Sequence, residues 1–217
     1  MFAALKLPKM TEALGATGFS ELCGATGIEM ADIECYHALL SDWNGRMNLV
    51  GPTALDAFWR RHAWDSAQLK FSAPSARIWA DVGSGAGFPG LILAILLKST
   101  PGAKVHLIES MLKRCRFLSA VVDRLDLPAV VHHVRAEASN VKDAEVVTAR
   151  ACAPLDRLLE FSWPLLRYGA CGLFLKGRTV DDEMAVARKN WSFNASKTQS
   201  RSDPSGIILK IEGLSRA

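Results

Sequence analysis

The residue types and spacings with chemical potential concentrate in one stretch, Asp81-Val-Gly83-Ser-Gly85-Ala-Gly87-Phe-Pro-Gly90. Glycines let a backbone turn sharply and come close to a ligand, because no Cβ stands in the way. The run follows a β-branched, apolar segment at 77–82 and precedes an apolar helical one near 89–98. Ligands of open α/β sheets bind at such carboxyl ends of strands. Glu109 closes the next strand-like run, where a carboxylate accepts hydrogen bonds from both hydroxyls of a ribose. Together the two marks predict a nucleoside site.

Two nucleoside classes compete for it. Gly85-x-Gly87-x-x-Gly90 matches the dinucleotide fingerprint, while Asp81-x-Gly83-x-Gly85-x-Gly87 resembles motif I of class I S-adenosylmethionine (SAM) methyltransferases. The acidic residue ahead of the first glycine separates them. A carboxylate there repels a pyrophosphate, whereas SAM has no phosphate and carries an ammonium and a sulfonium charge that favour an acidic pocket. Ala136-Glu137, after the third strand, stands where a methyltransferase grips adenine, and Phe88 at the loop's tip either packs on adenine or staples the helix that follows.

These residues need a scaffold. β-rich runs at 77–82, 104–109, 130–135, 145–150, 170–176 and 206–211 alternate with helical stretches near 89–98, 112–126, 154–167 and 180–190. Such alternation predicts a mostly parallel sheet with helices on both faces. Pro164 is expected to kink or end the fourth helix. The polar, Ser-rich stretch 194–206 reads as a loop. Ahead of the sheet, Ile33, Tyr36, Leu39, Leu40 and Trp43 recur at helical spacing until Asn44-Gly45 breaks the pattern, and a second helix is expected from Thr53. The expected division is a helical region over 1–71 packed on a core domain over 72–217.

Composition narrows the class of protein. In 217 residues, 49% are hydrophobic and 22% charged, which excludes disordered and fibrous chains. A net charge of +4 neither proves nor excludes nucleic-acid binding. Five cysteines without a C-x-x-C pair fit neither a disulfide framework nor a zinc site, so no metal and a reducing, cytoplasmic setting are expected. The longest apolar run, 91–97, is too short to span a bilayer. His62 reads as a core histidine.

Read beside Trp43-Asn44, Asn48-Leu49, Arg61-His62, Asp65-Ser66, Lys113-Arg114, Arg116-Phe-Leu118, Arg150-Ala151 and Leu175-Lys-Gly177, the glycine loop resembles one family closely, the ribosomal RNA small subunit methyltransferase G family (RsmG, also called GidB). The resemblance spans about 36–176. It implies a Rossmann-like class I SAM-dependent fold, α/β, with a mostly parallel seven-stranded sheet and an N-terminal helical extension. It further implies methylation at N7 of a guanine in the 530 loop of 16S rRNA, conventionally position 527. Residues matching Gly83, Phe88, Ala136, Glu137 and Arg150 contact SAM in that family, and Gly85 and Glu109 join them from the pattern above. Two departures stand out: Phe88 replaces a leucine, and Ala151-Cys-Ala-Pro154 replaces Ala-Phe-Ala-Ser.

The chemistry agrees with that implication. Methyl transfer to an exocyclic amine usually goes with an Asn/Asp-Pro-Pro-aromatic loop after the fourth strand, where this chain has 149–154. Transfer to cytosine C5 needs a cysteine nucleophile, and Cys152 in its small apolar surroundings reads as a buried structural thiol. Guanine N7 carries a lone pair and no proton, so no general base is needed and no catalytic acid or base is assigned. For RNA, Lys113, Arg116 and Arg124 are expected on one face of the helix near 112–126, with Leu112, Cys115, Leu118, Val121, Val122 and Leu125 on the other. Arg46, Arg60-Arg61, Arg114 and Lys176-Gly-Arg178 add cations near the same edge, of which Arg61, Lys113, Arg114, Arg116 and Lys176 are taken as the RNA contacts, with 16S rRNA or the small subunit as partner. An NAD-dependent oxidoreductase and a non-catalytic RNA-binding module are the rival readings.

Overall fold

In the computed structural model, residues 14–51, 55–150 and 152–217 are described. Helix α1 (Ala16–Cys23) is followed by α2 (Gly27–Met47). A capping box starts α2: Thr26 Oγ1 accepts from the Glu29 N–H, and Glu29 Oε2 accepts from the Thr26 N–H at 2.7 Å. Contrary to the sequence expectation, Asn44-Gly45 does not break α2. A glycine costs a helix interior only about 1 kcal/mol, and Ile33, Tyr36 and Leu40 bury the helix firmly enough to carry it onward. It stops at Asn48, which takes the left-handed conformation at φ 48°. The helix expected from Thr53 begins outside the described residues. From Phe58 to Trp64 the backbone instead winds as a π-helical turn, then continues through α3 (Asp65–Ala67) and α4 (Leu69–Ser72).

Strand and helix then alternate: β1 (Ile78–Val82), α5 (Gly90–Leu96), β2 (Lys104–Glu109), α6 (Leu112–Leu125), β3 (Ala129–His133), β4 (Val146–Arg150), α7 (Leu155–Leu166), β5 (Cys171–Lys176), α8 (Val180–Ala187), β6 (Trp191–Gln199) and β7 (Ile207–Arg216). The seven strands order as β3-β2-β1-β4-β5-β7-β6, with only the β7 pairings antiparallel. Pro164 lies in the last turn of α7, which ends two residues later. The expected loop at 194–206 is wrong for its first half, since Trp191–Gln199 is an edge strand paired with β7. Beyond Phe193 its side chains face water on both sides, so no apolar alternation marked it.

Period-two alternation divides the core between the sheet's faces. Trp79, Val105 and Leu107 face a cluster shared by Phe19, Ile33, Tyr36, Leu40, Phe58, Leu91 and Phe117. The N-terminal helices therefore share one core with α5 and α6. Ala80, Val82, Ile108 and Val147 face the other cluster with α7, Phe174 and Leu209.

One polar group interrupts that second face. His106 is 3% exposed, with Nδ1 2.8 Å from His132 Nε2 and Nε2 3.1 Å from Asp143 Oδ1. Burial pushes its pKa down to about 4, so this residue's contribution to stability is present above about pH 6.5 and is lost as the pH falls through 4. Urea unfolding at pH 7 and pH 4 is expected to show a fall on the order of 2–3 kcal/mol that is smaller in His106→Gln.

Candidate active site

The glycine turn after β1 is held from three sides. The Gly83 and Ser84 N–H groups both donate to the Ile108 carbonyl, at 2.9 and 3.1 Å, hooking the turn over the end of β2. Glu109 Oε2 accepts from the Gly85 N–H at 3.0 Å and Oε1 from the Met111 N–H at 2.8 Å. Asp81 Oδ2 accepts from the Gly90 N–H at 3.0 Å and Oδ1 from the Thr148 hydroxyl at 3.2 Å. Gly90 has no alternative, because a Cβ there would lie 2.3 Å from Leu107 Cδ2 and 2.7 Å from Asp81 Oδ2.

Asp81 thus departs from its expected role. It is buried beneath the turn, does not line the cavity, and burial pushes its pKa up to about 6. Its carboxylate organises the loop; it does not supply a facing charge to a ligand. Glu109 does line the cavity while only 4% exposed, with Arg114 Nη1 at 3.7 Å from Oε2.

Around the turn opens a cavity of about 930 Å3. Gly83, Gly85, Phe88, Glu109 and Arg150 all line it. Ala136 and Glu137 do not; they form a 3-10 turn beyond β3, with Glu137 exposed. Phe88 reaches the cavity wall but is 5% exposed, stacked on His62 at 4.6 Å and 21° and lying 5.5 Å from the Tyr36 ring. The protein itself occupies much of that ring, so Phe88 fastens the turn to the N-terminal helices. Tyr36 does the same with its hydroxyl, donating to the Ala86 carbonyl at 2.6 Å.

Arg150, at the end of β4, lies with its guanidinium 5.0 Å from the Phe88 ring centre and donates to the Arg61 carbonyl at 2.6 Å. Asp65 Oδ2 is 3.8 Å away. Behind it runs a polar network that sequence reasoning missed. Gln68 Nε2 donates to Ser200 Oγ at 3.0 Å and to Asp65 Oδ1 at 2.9 Å, and Gln68 Oε1 accepts from the Arg201 N–H at 2.8 Å. Ser200 and Arg201 stand more than 130 positions from Gln68, beyond any local signal.

Three further expectations change. Cys152 is exposed, not buried, and lines the cavity beside Gly83. Desolvation, followed by the charges of Asp81, Glu109 and Glu137, raises its pKa, the opposite of an activated nucleophile. Lys176 is not free for RNA: Nζ donates to the Ala153 carbonyl at 3.0 Å and pairs with Glu183 Oε2 at 2.5 Å, bracing the β4–α7 connection. Leu112, expected inward, is 49% exposed beside Met111 at the rim. Lys113, Arg116 and Arg124 are exposed on α6 as expected, and Arg61 is exposed at the cavity.

The sequence profile of the rRNA small subunit methyltransferase G family matches residues 29–205. The chain belongs to this family. It is 54% identical over 203 residues to the ribosomal RNA small subunit methyltransferase G of Caulobacter vibrioides (strain NA1000 / CB15N), covering 94% of each chain. The protein of the same name from Parvibaculum lavamentivorans is 44% identical, over 94% of this chain and 91% of its own. Among solved structures, an O-methyltransferase from Bacillus cereus in complex with SAH superposes with a TM-score of 0.58 at 14% identity, over 91% of this chain and 96% of that one. A SAM-dependent methyltransferase from Aquifex aeolicus gives 0.56 at 14% identity, over 81% and 97%. At that identity the superpositions speak for the fold alone, the class I methyltransferase fold. For this member of the family, the glycine turn, Glu109 and Arg150 share one cavity at the carboxyl edge of the sheet.

Proposed function

We propose that this protein is a SAM-dependent rRNA methyltransferase that modifies N7 of a guanine in the 530 loop of 16S rRNA, at the position conventionally numbered 527. The observation that carries the cofactor assignment is the Glu109–Gly85 tie, which sets a buried carboxylate and a side-chain-free turn on one wall of the cavity. The residues fit the group. A Cβ at Gly85 would meet only the Gly83 carbonyl, at 3.7 Å, so the turn leaves open space for a ligand to approach the backbone. Gly83, Gly85, Glu109 and Arg150 are the binding residues, with Phe88 bracing the turn and Ala136 and Glu137 carried over from the family resemblance. When bound, SAM supplies an electrophilic methyl group.

The chain's own contribution is alignment and exclusion of water. Guanine N7 offers a lone pair without a proton, so no side chain has to remove one. Cys152, with its raised pKa, is unsuited to the thiolate attack that C5 methylation of cytosine requires. The substrate is 16S rRNA, the small subunit or its assembly intermediate, and such a substrate implies a cytoplasmic reaction. Among the described residues no helix is long and apolar enough to cross a membrane. Mapping N7-methylguanine in 16S rRNA from cells with and without the protein tests the reaction: an unchanged 530 loop would overturn it.

The RNA face is narrower than the sequence suggested. Arg114 leans toward Glu109 and Lys176 is internally paired, which leaves Lys113 and Arg116 on α6 and Arg61 at the cavity. Lys113→Gln combined with Arg116→Gln is expected to weaken small-subunit binding and to reduce the salt slope by about 0.7–0.9 for each phosphate that is no longer neutralised. Calorimetry should show SAM affinity unchanged. Equal slopes in wild type and variant would remove α6 from the RNA interface.

A further inference from the structure

The same cavity is also lined by Arg61, Asp65, Arg150 and, from the β6–β7 turn at 200–206, by Ser200, Ser202, Asp203 and Gly206. Topology puts that turn at the ligand edge of the sheet. Ile207 pairs with Lys176 at the carboxyl end of β5, and Gln199 pairs with Ile207. A cavity of about 930 Å3 lies near the top of the roughly 300–1,000 Å3 range that holds one drug-sized ligand, so room remains beside a nucleoside cofactor. The turn is also fastened, by Ser200 and Ser202, both buried against Gln68 and Asp65.

Four carboxylates line this cavity, and in three of them each oxygen faces a donor or cation of the protein. Ser202 and Gln68 donate to Asp65 Oδ1, and Arg150 faces Oδ2. Glu109 accepts one backbone N–H on each oxygen. Glu183 takes Lys176 and the Leu155 N–H on Oε2 and the Thr179 hydroxyl on Oε1. Asp203 differs. The Ser205 N–H and hydroxyl both donate to its Oδ1, at 2.8 Å each, and no donor among the described residues reaches Oδ2. The Ser205 bonds, helped by Arg61 and Arg178, hold its carboxyl below the usual range, so it is ionised at neutral pH.

We propose that Asp203 reads the acceptor base, with Oδ2 accepting from N1–H and the 2-amino group of the target guanine. This rests on the guanine reading given above and deepens it. Those two donors lie on the edge of guanine away from N7, so a carboxylate that grips them leaves the N7 lone pair exposed. Adenine presents an acceptor at N1 and no 2-amino group, so the same carboxylate repels it.

Asp203→Asn tests this directly, since it keeps one oxygen for Ser205 and turns an amide NH2 toward N1–H. On small subunits from cells lacking the protein, kcat/KM is expected to fall by roughly tenfold to a hundredfold, with the melting temperature and SAM Kd unchanged. Subunits reconstituted with inosine at the target, which lacks the 2-amino group, should slow the wild type by about tenfold and leave Asp203→Asn nearly indifferent to the exchange. Ser205→Ala loosens the turn but spares the carboxylate, so it should keep the wild-type preference for guanosine. Full activity in Asp203→Asn, or an unaltered preference for guanosine over inosine in that variant, would overturn the proposal. If wild type makes no N7-methylguanine even on guanosine subunits, the assigned reaction itself fails, and the role of Asp203 fails with it.

Discussion

Gly83→Val is expected to lower SAM affinity by more than about a hundredfold while the protein still folds. Gly83 sits at φ +70°, a conformation that costs a side-chain-bearing residue about 1–2 kcal/mol and a β-branched one more. Its Cβ would also stand 2.9 Å from Cys152 Sγ, forcing that side chain to move across the cavity wall. The valine methyls would then fill space at the turn that a ligand needs to reach the backbone. Because a Cβ at Gly83 would meet only Cys152 and no buried core side chain, unfolding free energy should drop by only about 1–3 kcal/mol. Calorimetry with SAM and urea unfolding separate the two effects. Adding Cys152→Ala should relieve the contact but not the φ strain, restoring stability in part and affinity little. Wild-type affinity in the folded single variant would mean that the cofactor binds elsewhere.

Local chemistry was legible in the sequence wherever one short segment carried it. The strand-turn-helix context of Gly83, Gly85 and Gly90 was readable because positive φ and close approach leave a glycine signature. Parallel strands buried on both faces, such as β2 and β4, announced themselves as β-branched runs between helices. What failed depended on partners remote in sequence. Asp81 has the sequence position of a ligand-facing charge, but the packing of Gly90 turns it inward. Lys176 has that of a free cation, but α8 brings Glu183 against it. The edge strand β6 had no apolar period to read, since its hydrogen bonds to β7 define it. The Gln68–Ser200 network joins a helical segment to a polar stretch read as a loop, 132 positions apart. A buried polar group is recognisable only once its partner is known, which is why this wall of the cavity emerged from the structure alone.

Glu109→Ala is expected to cost SAM binding on the order of 2–4 kcal/mol, roughly a thirtyfold to nearly thousandfold weakening, for two additive reasons. One is direct: in the proposed site the buried carboxylate at the end of β2 would give charge-assisted hydrogen bonds to ribose hydroxyls, which no methyl group replaces. The other follows from the structure, where the same carboxylate already accepts from the Gly85 and Met111 N–H groups. Alanine leaves both donors without a protein acceptor, so the turn loses its tie to β2 and the free protein has to order it on binding. Glu109→Gln separates the terms, because its single oxygen keeps one of the two backbone bonds while its amide cannot accept at the other. The glutamine variant should therefore lie between wild type and alanine in SAM affinity. Amide hydrogen exchange adds an independent reading. Gly85 and Met111 should exchange faster in Glu109→Ala even without SAM, whereas Gly90, held by Asp81, should not. Unchanged exchange at Gly85 would show that the turn orders itself and reduce Glu109 to its ribose contact, and unchanged SAM affinity would remove it from the cofactor site.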